Sequence, residues 1–366
     1  MADPHPELTV RLSDPGEVAA ALPHLIGFRP RESLVLVSLR GSGSRSVRFG
    51  LTARVDLPPP AHRRPVVSGV VRSLLTDRPS AALIAVVSED DDDRTVTLGA
   101  EAAGPVPALP HRDLVHEAVL ELDARGLPVR DALLVRRGRW WSYDCEQPCC
   151  APEAGTPLPG GTSELAVASA LTGQVVEVDR AALVRRIAPV GFLAAEGMAR
   201  ACDEVGDALA RRTAQLGWDA VVEEGWAAVS AAVDAAGPGS VHRLSDRHVA
   251  RLAWGLRDHD LRDRALSLAV GPRAAAAEVV WTELTRRAPA PLDAAPATLL
   301  AVTAWVRGDG ALANVALERA LDSEPSYTFA GLLRSALDAC MTPAEVRRLV
   351  REACGRPDAE ERDEHR

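Results

Sequence analysis

Three of the chain's six cysteines fall in one thirteen-residue stretch, Gly138-Arg139-Trp140-Trp141-Ser142-Tyr143-Asp144-Cys145-Glu146-Gln147-Pro148-Cys149-Cys150, together with three of its thirteen aromatics. Thiolates are soft ligands, so Cys145, Cys149 and Cys150 point to zinc or iron–sulfur chemistry. The spacing C-x3-C-C supplies three ligands, and a fourth would have to come from Asp144, Glu153, a distant histidine such as His62, or another subunit. A redox reading pairs Cys145 with Cys149, because a bridge between adjacent cysteines is strained. A third reading keeps all three reduced and packed as small apolar residues beside the tryptophans. If residues 139–145 are extended, Trp141, Tyr143 and Cys145 share one face and Trp140, Ser142 and Asp144 the other. Pro148 then turns the chain so that Cys149 and Cys150 come back toward Cys145.

Composition excludes several other chemistries. The chain has 366 residues, a formal net charge of −9 and no lysine, all its fixed positive charge being arginine. Schiff-base catalysis, a phosphate-binding P-loop and a kinase-type phosphate grip all need a lysine amine. The acidic balance argues against nucleic acid, whose non-specific binding rests on a positive field. No apolar run approaches the ~18 residues of a membrane span, and the start of the chain lacks the pattern of a secretory signal. The expectation is a cytoplasmic protein with neither a nucleic-acid nor a membrane partner, in which six cysteines are not a disulfide framework.

Around the cysteine stretch the sequence alternates strands and helices. Asp14-Pro15-Gly16-Glu17 is a helix start, with an N-cap, a proline in the first turn and an acid behind it. Residues 33–39 are β-rich and apolar on both faces, as in a central strand. From Val47 to Asp56 apolar and polar residues alternate, placing Arg54 and Asp56 on one polar face, where they contact each other or, with Arg29, a ligand. A helix over 66–75, a strand over 81–87, a second strand over 95–98, a helix over 111–125 and a strand over 131–135 complete the pattern. Five adjacent carboxylates, Glu89 to Asp93, read as a solvated tip between the strands at 81–87 and 95–98. No glycine-rich dinucleotide fingerprint follows any strand. The expected fold of residues 1–150 is an α/β domain with a mixed sheet.

Leu25-Ile26-Gly27-Phe28-Arg29-Pro30-Arg31-Glu32-Ser33-Leu34-Val35, then Ala53-Arg54-Val55-Asp56-Leu57-Pro58, then Arg139 to Cys145 with Cys149-Cys150, resemble the actinobacterial domain-of-unknown-function family 4192. The resemblance covers most of the chain, with the motifs in order. It implies a cytosolic actinobacterial protein and carries no activity. Where that family often has proline directly after the paired cysteines, this chain has Ala151 and then Pro152.

Beyond a Pro/Gly-rich linker at 151–162, residues 163–355 read as an all-α, repeat-like domain, followed by a charged, disordered tail at 356–366. Helical spacing marks 163–171, 179–187, 193–216 and 218–235. Residues 253–269 match residues 304–320 at seven of seventeen positions, an offset of 51 that includes Trp254/Trp305 and Asp258/Asp309. The second copy is similar to a tetratricopeptide helix pair but departs from it at Gly310. Trp226, Trp254, Trp281 and Trp305 recur about once per helical pair, as core residues or as the lining of a peptide groove. Two functions follow: a regulatory scaffold whose helical half binds a protein partner, or an enzyme or small-ligand protein using the α/β half.

Overall fold

The structure, a computed structural model, describes residues 14–41, 48–89, 109–160, 175–237 and 243–354. It divides into two compact units, one ending at Asp179 and the other beginning at Arg180. The first contains α1 (Pro15–Ile26), β1 (Ser33–Arg40), β2 (Arg48–Asp56), α2 (Arg63–Leu75), β3 (Ala81–Val87), α3 (Arg112–Asp123), β4 (Val129–Arg136), β5 (Arg139–Ser142) and β6 (Thr156–Pro157). The six strands form one mixed sheet in the order β2-β1-β3-β4-β5-β6. β3 and β4 are parallel, and the other neighbours are antiparallel.

The sheet has helices on both faces because β1 and β3 are apolar on both. Val35, Val37, Leu83 and Ala85 pack with Val18, Ala19 and Leu22 of α1. Leu34, Leu36, Ile84 and Val86 pack with Val67, Val71 and Leu74 of α2 and Leu114, Ala118 and Leu122 of α3. Burial on this scale is the main favourable term in folding, at about 25 cal/mol per Å² of apolar surface. α1 starts as its sequence requires: the Asp14 side chain accepts a hydrogen bond from the Gly16 N–H at 2.9 Å. It stops at Gly27, whose φ of 91° is a left-handed cap. Both edges of β3 are taken, by β1 and β4. Residues 95–98, expected as its hairpin partner, lie outside the described residues, as do Asp90 to Asp93, residues 163–171 and the tail at 356–366. Residues 156–157, within the stretch read as a linker, form the last strand of the sheet.

Asp77, buried just after α2, fastens the β1–β2 side of the sheet. Its carboxylate accepts hydrogen bonds from Ser38 Oγ, from Arg40 Nε at 2.9 Å and from the Leu51 N–H at 3.0 Å. Asp77→Ala leaves the Ser38 hydroxyl and the Leu51 amide without this acceptor, at an expected cost of about 2–3 kcal/mol in urea denaturation. Arg40 is 47% exposed, so Arg40→Ala should cost about 1 kcal/mol or less. Equal losses for the two variants would contradict this assignment.

The second unit is helical throughout its described residues: α4 (Arg180–Arg186), α5 (Phe192–Leu216), α6 (Trp218–Ala235), α7 (Asp246–Gly255), α8 (His259–Leu266), α9 (Ala274–Arg287), α10 (Ala294–Arg307), α11 (Gly310–Ser323), α12 (Thr328–Asp338) and α13 (Pro343–Cys354). Among the described residues no helix is long and apolar enough to cross a membrane. The 51-residue sequence match has a local cause. Asp258 caps α8 by accepting from the Leu261 N–H at 2.9 Å, and Asp309 caps α11 by accepting from the Leu312 N–H at 2.9 Å. Each aspartate ends a turn between two consecutive helices, and at the second copy Ala304, Ala313, Ala316 and Ala320 are fully buried where α10 and α11 approach. Asp258→Ala should cost about 1 kcal/mol, an ordinary N-cap loss. Asp309, buried and also paired with Arg307, should cost about twice that; denaturant midpoints of the two variants test the order.

Candidate metal centre

A short hairpin presents the cysteine stretch. β4 turns back through Arg137 and Gly138, whose φ values of 48° and 71° make the tight reversal. β5 then pairs with β4, Trp141 opposite Leu134 and Ser142 opposite Leu133. The two-residue period of the strand sends Trp140 toward the α1 face and Trp141 and Tyr143 into the α2–α3 core. The expected sharing of a face by Trp141, Tyr143 and Cys145 is present, Cys145 packing against the same core as a half-buried residue.

The loop from Tyr143 to Gly155 is fastened at several points. Tyr143 donates from its hydroxyl to the Pro110 carbonyl at 2.6 Å, and Trp141 donates from Nε1 to the Ala151 carbonyl at 3.0 Å. Arg139 donates to the carbonyls of Ala154 and Gly155 at 3.0 and 2.9 Å. Gly155, at φ 66°, lies so close under the Trp141 ring that a side chain there would collide with it. β6 then returns the chain to β5, Thr156 opposite Trp140. Within this loop Pro148 opens one turn of 3₁₀ helix, Pro148–Cys150, and carries Cys149 and Cys150 back to Cys145.

The three Sγ atoms lie within 4.8 Å of one another, 3.9 Å from Cys145 to Cys149 and 4.0 Å from Cys149 to Cys150. Tetrahedral zinc with Zn–S bonds of ~2.3 Å needs sulfurs about 3.8 Å apart. An iron–sulfur cluster takes thiolates on different irons and spreads them further. Backbone amides face the sulfurs: the Ser142 N–H donates to Cys150 Sγ at 3.3 Å. A hydrogen bond from the Gln147 backbone, the largest influence on Cys145, lowers that thiol's pKa. Burial pushes Cys150 up to about 11, so alone it is a neutral thiol at pH 7, whereas a bound cation would hold it as thiolate. None of the six cysteines is in a disulfide. Among the described residues Asp144, Glu153 and His62 do not join the group, so the fourth position is left to a ligand from outside these side chains.

The other expected site residues are placed differently. Arg54 and Asp56, at the end of β2, form an ion pair at 2.5 Å. Arg54 also donates from Nε to Ser33 Oγ at 2.8 Å, and its guanidinium lies 5.7 Å from the Phe28 ring centroid. Arg29 is exposed and is tied in through its main chain, its N–H donating to the Glu177 carbonyl at 3.0 Å. Among the described residues its side chain makes no hydrogen bond or ion pair with Arg54 or Asp56.

Sequence reasoning missed a polar chain at the end of β3. Ser88 Oγ donates to Glu32 Oε2 at 2.6 Å and lies 3.1 Å from His111 Nε2, and the Glu89 N–H donates to Glu32 Oε1 at 2.7 Å. Glu32 and His111 both have positive φ, 38° and 60°. These residues are far apart in sequence, and nothing in their spacing links them. With both carboxylate oxygens engaged, Glu32 is a clamp between the start of β1 and the end of β3.

A family model described as a domain of unknown function, DUF4192, matches residues 15–344. No curated protein and no solved structure matches the chain.

Proposed function

The chain belongs to the DUF4192 family, which brings no stated activity, and from its own geometry we propose that the α/β unit is a metal-dependent regulatory or structural module. Cys145, Cys149 and Cys150 hold a single thiophilic divalent cation, zinc in the first place. The observation that carries this reading is the spacing of the three sulfurs, 3.9 and 4.0 Å for two pairs and all within 4.8 Å of one another, against the ~3.8 Å of a tetrahedral thiolate site. The cation would tie the tip of the Tyr143–Gly155 loop to the edge of the sheet and supply the charge that keeps Cys150 deprotonated. Three protein ligands leave one position for water, a small anion or a side chain of another protein.

The test is elemental analysis of full-length protein purified under reducing conditions, with cobalt(II) substituted for zinc in a parallel sample. The expected result is one ion per chain and sulfur-to-cobalt charge-transfer absorption, both lost when all three cysteines are changed to serine. Three titratable thiols at this cluster with no bound metal would sink the reading.

A second reading concerns the helical unit, as the surface that binds a protein partner. Phe192 and Leu193, 75% and 84% exposed at the start of α5, favour it. Leu193 also lines a cleft of about 540 Å³ with Val190, Met198, Arg243 and Leu244. Exposed apolar side chains gathered beside a cleft mark interaction sites. Phe192→Ser/Leu193→Ser in the full chain should abolish a cross-linked partner band that the unaltered protein forms; an unchanged band counts against this surface.

A further inference from the structure

We propose that the cysteine cluster is an oxidation-responsive switch, in which a peroxide joins Cys145 to Cys149 and the site loses its hold on the cation. The proposal rests on the metal reading above and adds to it the thiol pair that reacts and the signal it answers.

The three sulfurs are not equivalent. Cys149 is exposed, Cys145 half-buried and Cys150 buried beside Trp141 and Tyr143. An oxidant from solvent reaches the first two and is kept from the third. Distance alone does not choose the pair, because Cys145–Cys149 and Cys149–Cys150 are separated by nearly the same 3.9 and 4.0 Å. Backbone geometry does choose it. Neighbouring residues have Cα atoms about 3.8 Å apart, below the ~4.4 Å at which ordinary disulfides begin. Cys145 and Cys149 are separated by a turn that already faces their sulfurs toward each other.

The chemistry balances with peroxide as the named oxidant. The Cys145 thiolate attacks one peroxide oxygen and breaks the O–O bond, giving a sulfenic acid and a hydroxide that takes up a proton to become water. The Cys149 thiolate then attacks the Cys145 sulfur and displaces a second hydroxide, which is also protonated. Two thiolates have lost two electrons and one peroxide has become two waters. With two of three protein ligands consumed, Cys150 alone faces the cation. The loop stays fastened through Trp141, Arg139 and Tyr143, so reduction can restore the cluster.

The experiment uses zinc-loaded full-length protein carrying Cys340→Ser and Cys354→Ser, which removes the other exposed or half-buried thiols. One equivalent of hydrogen peroxide is added, zinc release is followed with a chromophoric chelator, and the bridge is mapped by peptide mass. The expected result is one zinc released per Cys145–Cys149 bridge, with Cys150 still open to alkylation after unfolding, and zinc rebinding after reduction. A chain that carries no zinc before oxidation overturns the metal reading, and the coupling with it. A zinc-loaded chain that keeps its zinc, or that bridges through Cys150, overturns the switch alone. In Cys149→Ser, peroxide should stop at a Cys145 sulfenic acid; a bridge to Cys150 in that variant also counts against the assigned pair.

Discussion

Removing the cation with a chelator should lower the thermal midpoint of the α/β unit by about 10 °C, and changing Cys150 to serine should lower it further, each leaving the transition of the helical unit in place. A ligand present at a thousand times its dissociation constant stabilises the state that binds it by about 4 kcal/mol. In a unit of this size each kcal/mol moves the midpoint by about 2–4 °C. Cys150→Ser should be the most damaging single change at the cluster, because Cys150 is packed among Trp141 and Tyr143 and the substitution buries a hydroxyl in an apolar core as well as removing a ligand. Cys149→Ser, at an exposed position, should reproduce the effect of the chelator and no more. Without metal, the Cys150 thiol has its pKa raised by burial to about 11 from an ordinary 9.0. A group raised in the folded state contributes stability that is present below its unfolded pKa and lost as pH rises through the folded one. The metal-free α/β unit should therefore weaken between about pH 9 and 11, and the metal-bound unit, whose Cys150 is already a thiolate, should not show that loss. Calorimetry at pH 7, 9 and 10.5 with and without zinc reads both effects. Only the transition of the α/β unit is diagnostic, because Cys202 in the helical unit is also pushed to about 11. Identical midpoints with and without zinc would remove the cation from any structural role.

The elements that the sequence states clearly are those written in local pattern. β1 reads as a central strand because both its faces are apolar, and it lies inside the sheet, as does β3, which the sequence marks as a strand. The alternation through Trp141, Tyr143 and Cys145, with Pro148 as the turn, is enough to foresee that three thiols separated by up to five positions converge. What could not be read is whatever depends on pairing at a distance. The lone two-residue strand β6 has no period to detect, and it is a strand only because β5 offers it an edge. The clamp of Glu32, Ser88 and His111 exists because β1 and β3 run antiparallel as neighbours, which brings the start of one beside the end of the other. The reach of Asp144, Glu153 and His62 toward the thiols was likewise a question of geometry, and none of them joins the cluster. Arg54 and Asp56 were placed on one face by the strand period alone, and there they meet each other.

The regularly spaced tryptophans of the helical unit, Trp226, Trp254, Trp281 and Trp305, look alike in sequence, and their substitutions should separate them. Trp281 is fully buried in α9 and Trp305 is 2% exposed in α10, whereas Trp254 at the end of α7 is 37% exposed. Trp281→Ala should therefore cost about 3–5 kcal/mol, the range for deleting a buried aromatic whose surroundings relax only partly. That is a large share of the ~5–15 kcal/mol that holds a typical domain folded. Trp254 binds through one directed contact, its Nε1 donating to the Cys202 carbonyl at 2.8 Å while its ring covers Gly206. Trp254→Phe removes that donor and should cost about 1 kcal/mol. The opposite logic applies to Trp281→Phe, because the Trp281 Nε1 is buried without a hydrogen-bond partner among the described residues. Phenylalanine there gives up ring volume but also relieves an unpaired donor, so its cost should fall well short of that of Trp281→Ala. Urea denaturation at constant m-value orders the three variants as Trp281→Ala, then Trp281→Phe, with Trp254→Phe at or below it. If Trp254→Phe proved as damaging as Trp281→Ala, the aromatic at the end of α7 would be part of the core after all, and the two halves of the 51-residue repeat would be alike in packing as well as in capping.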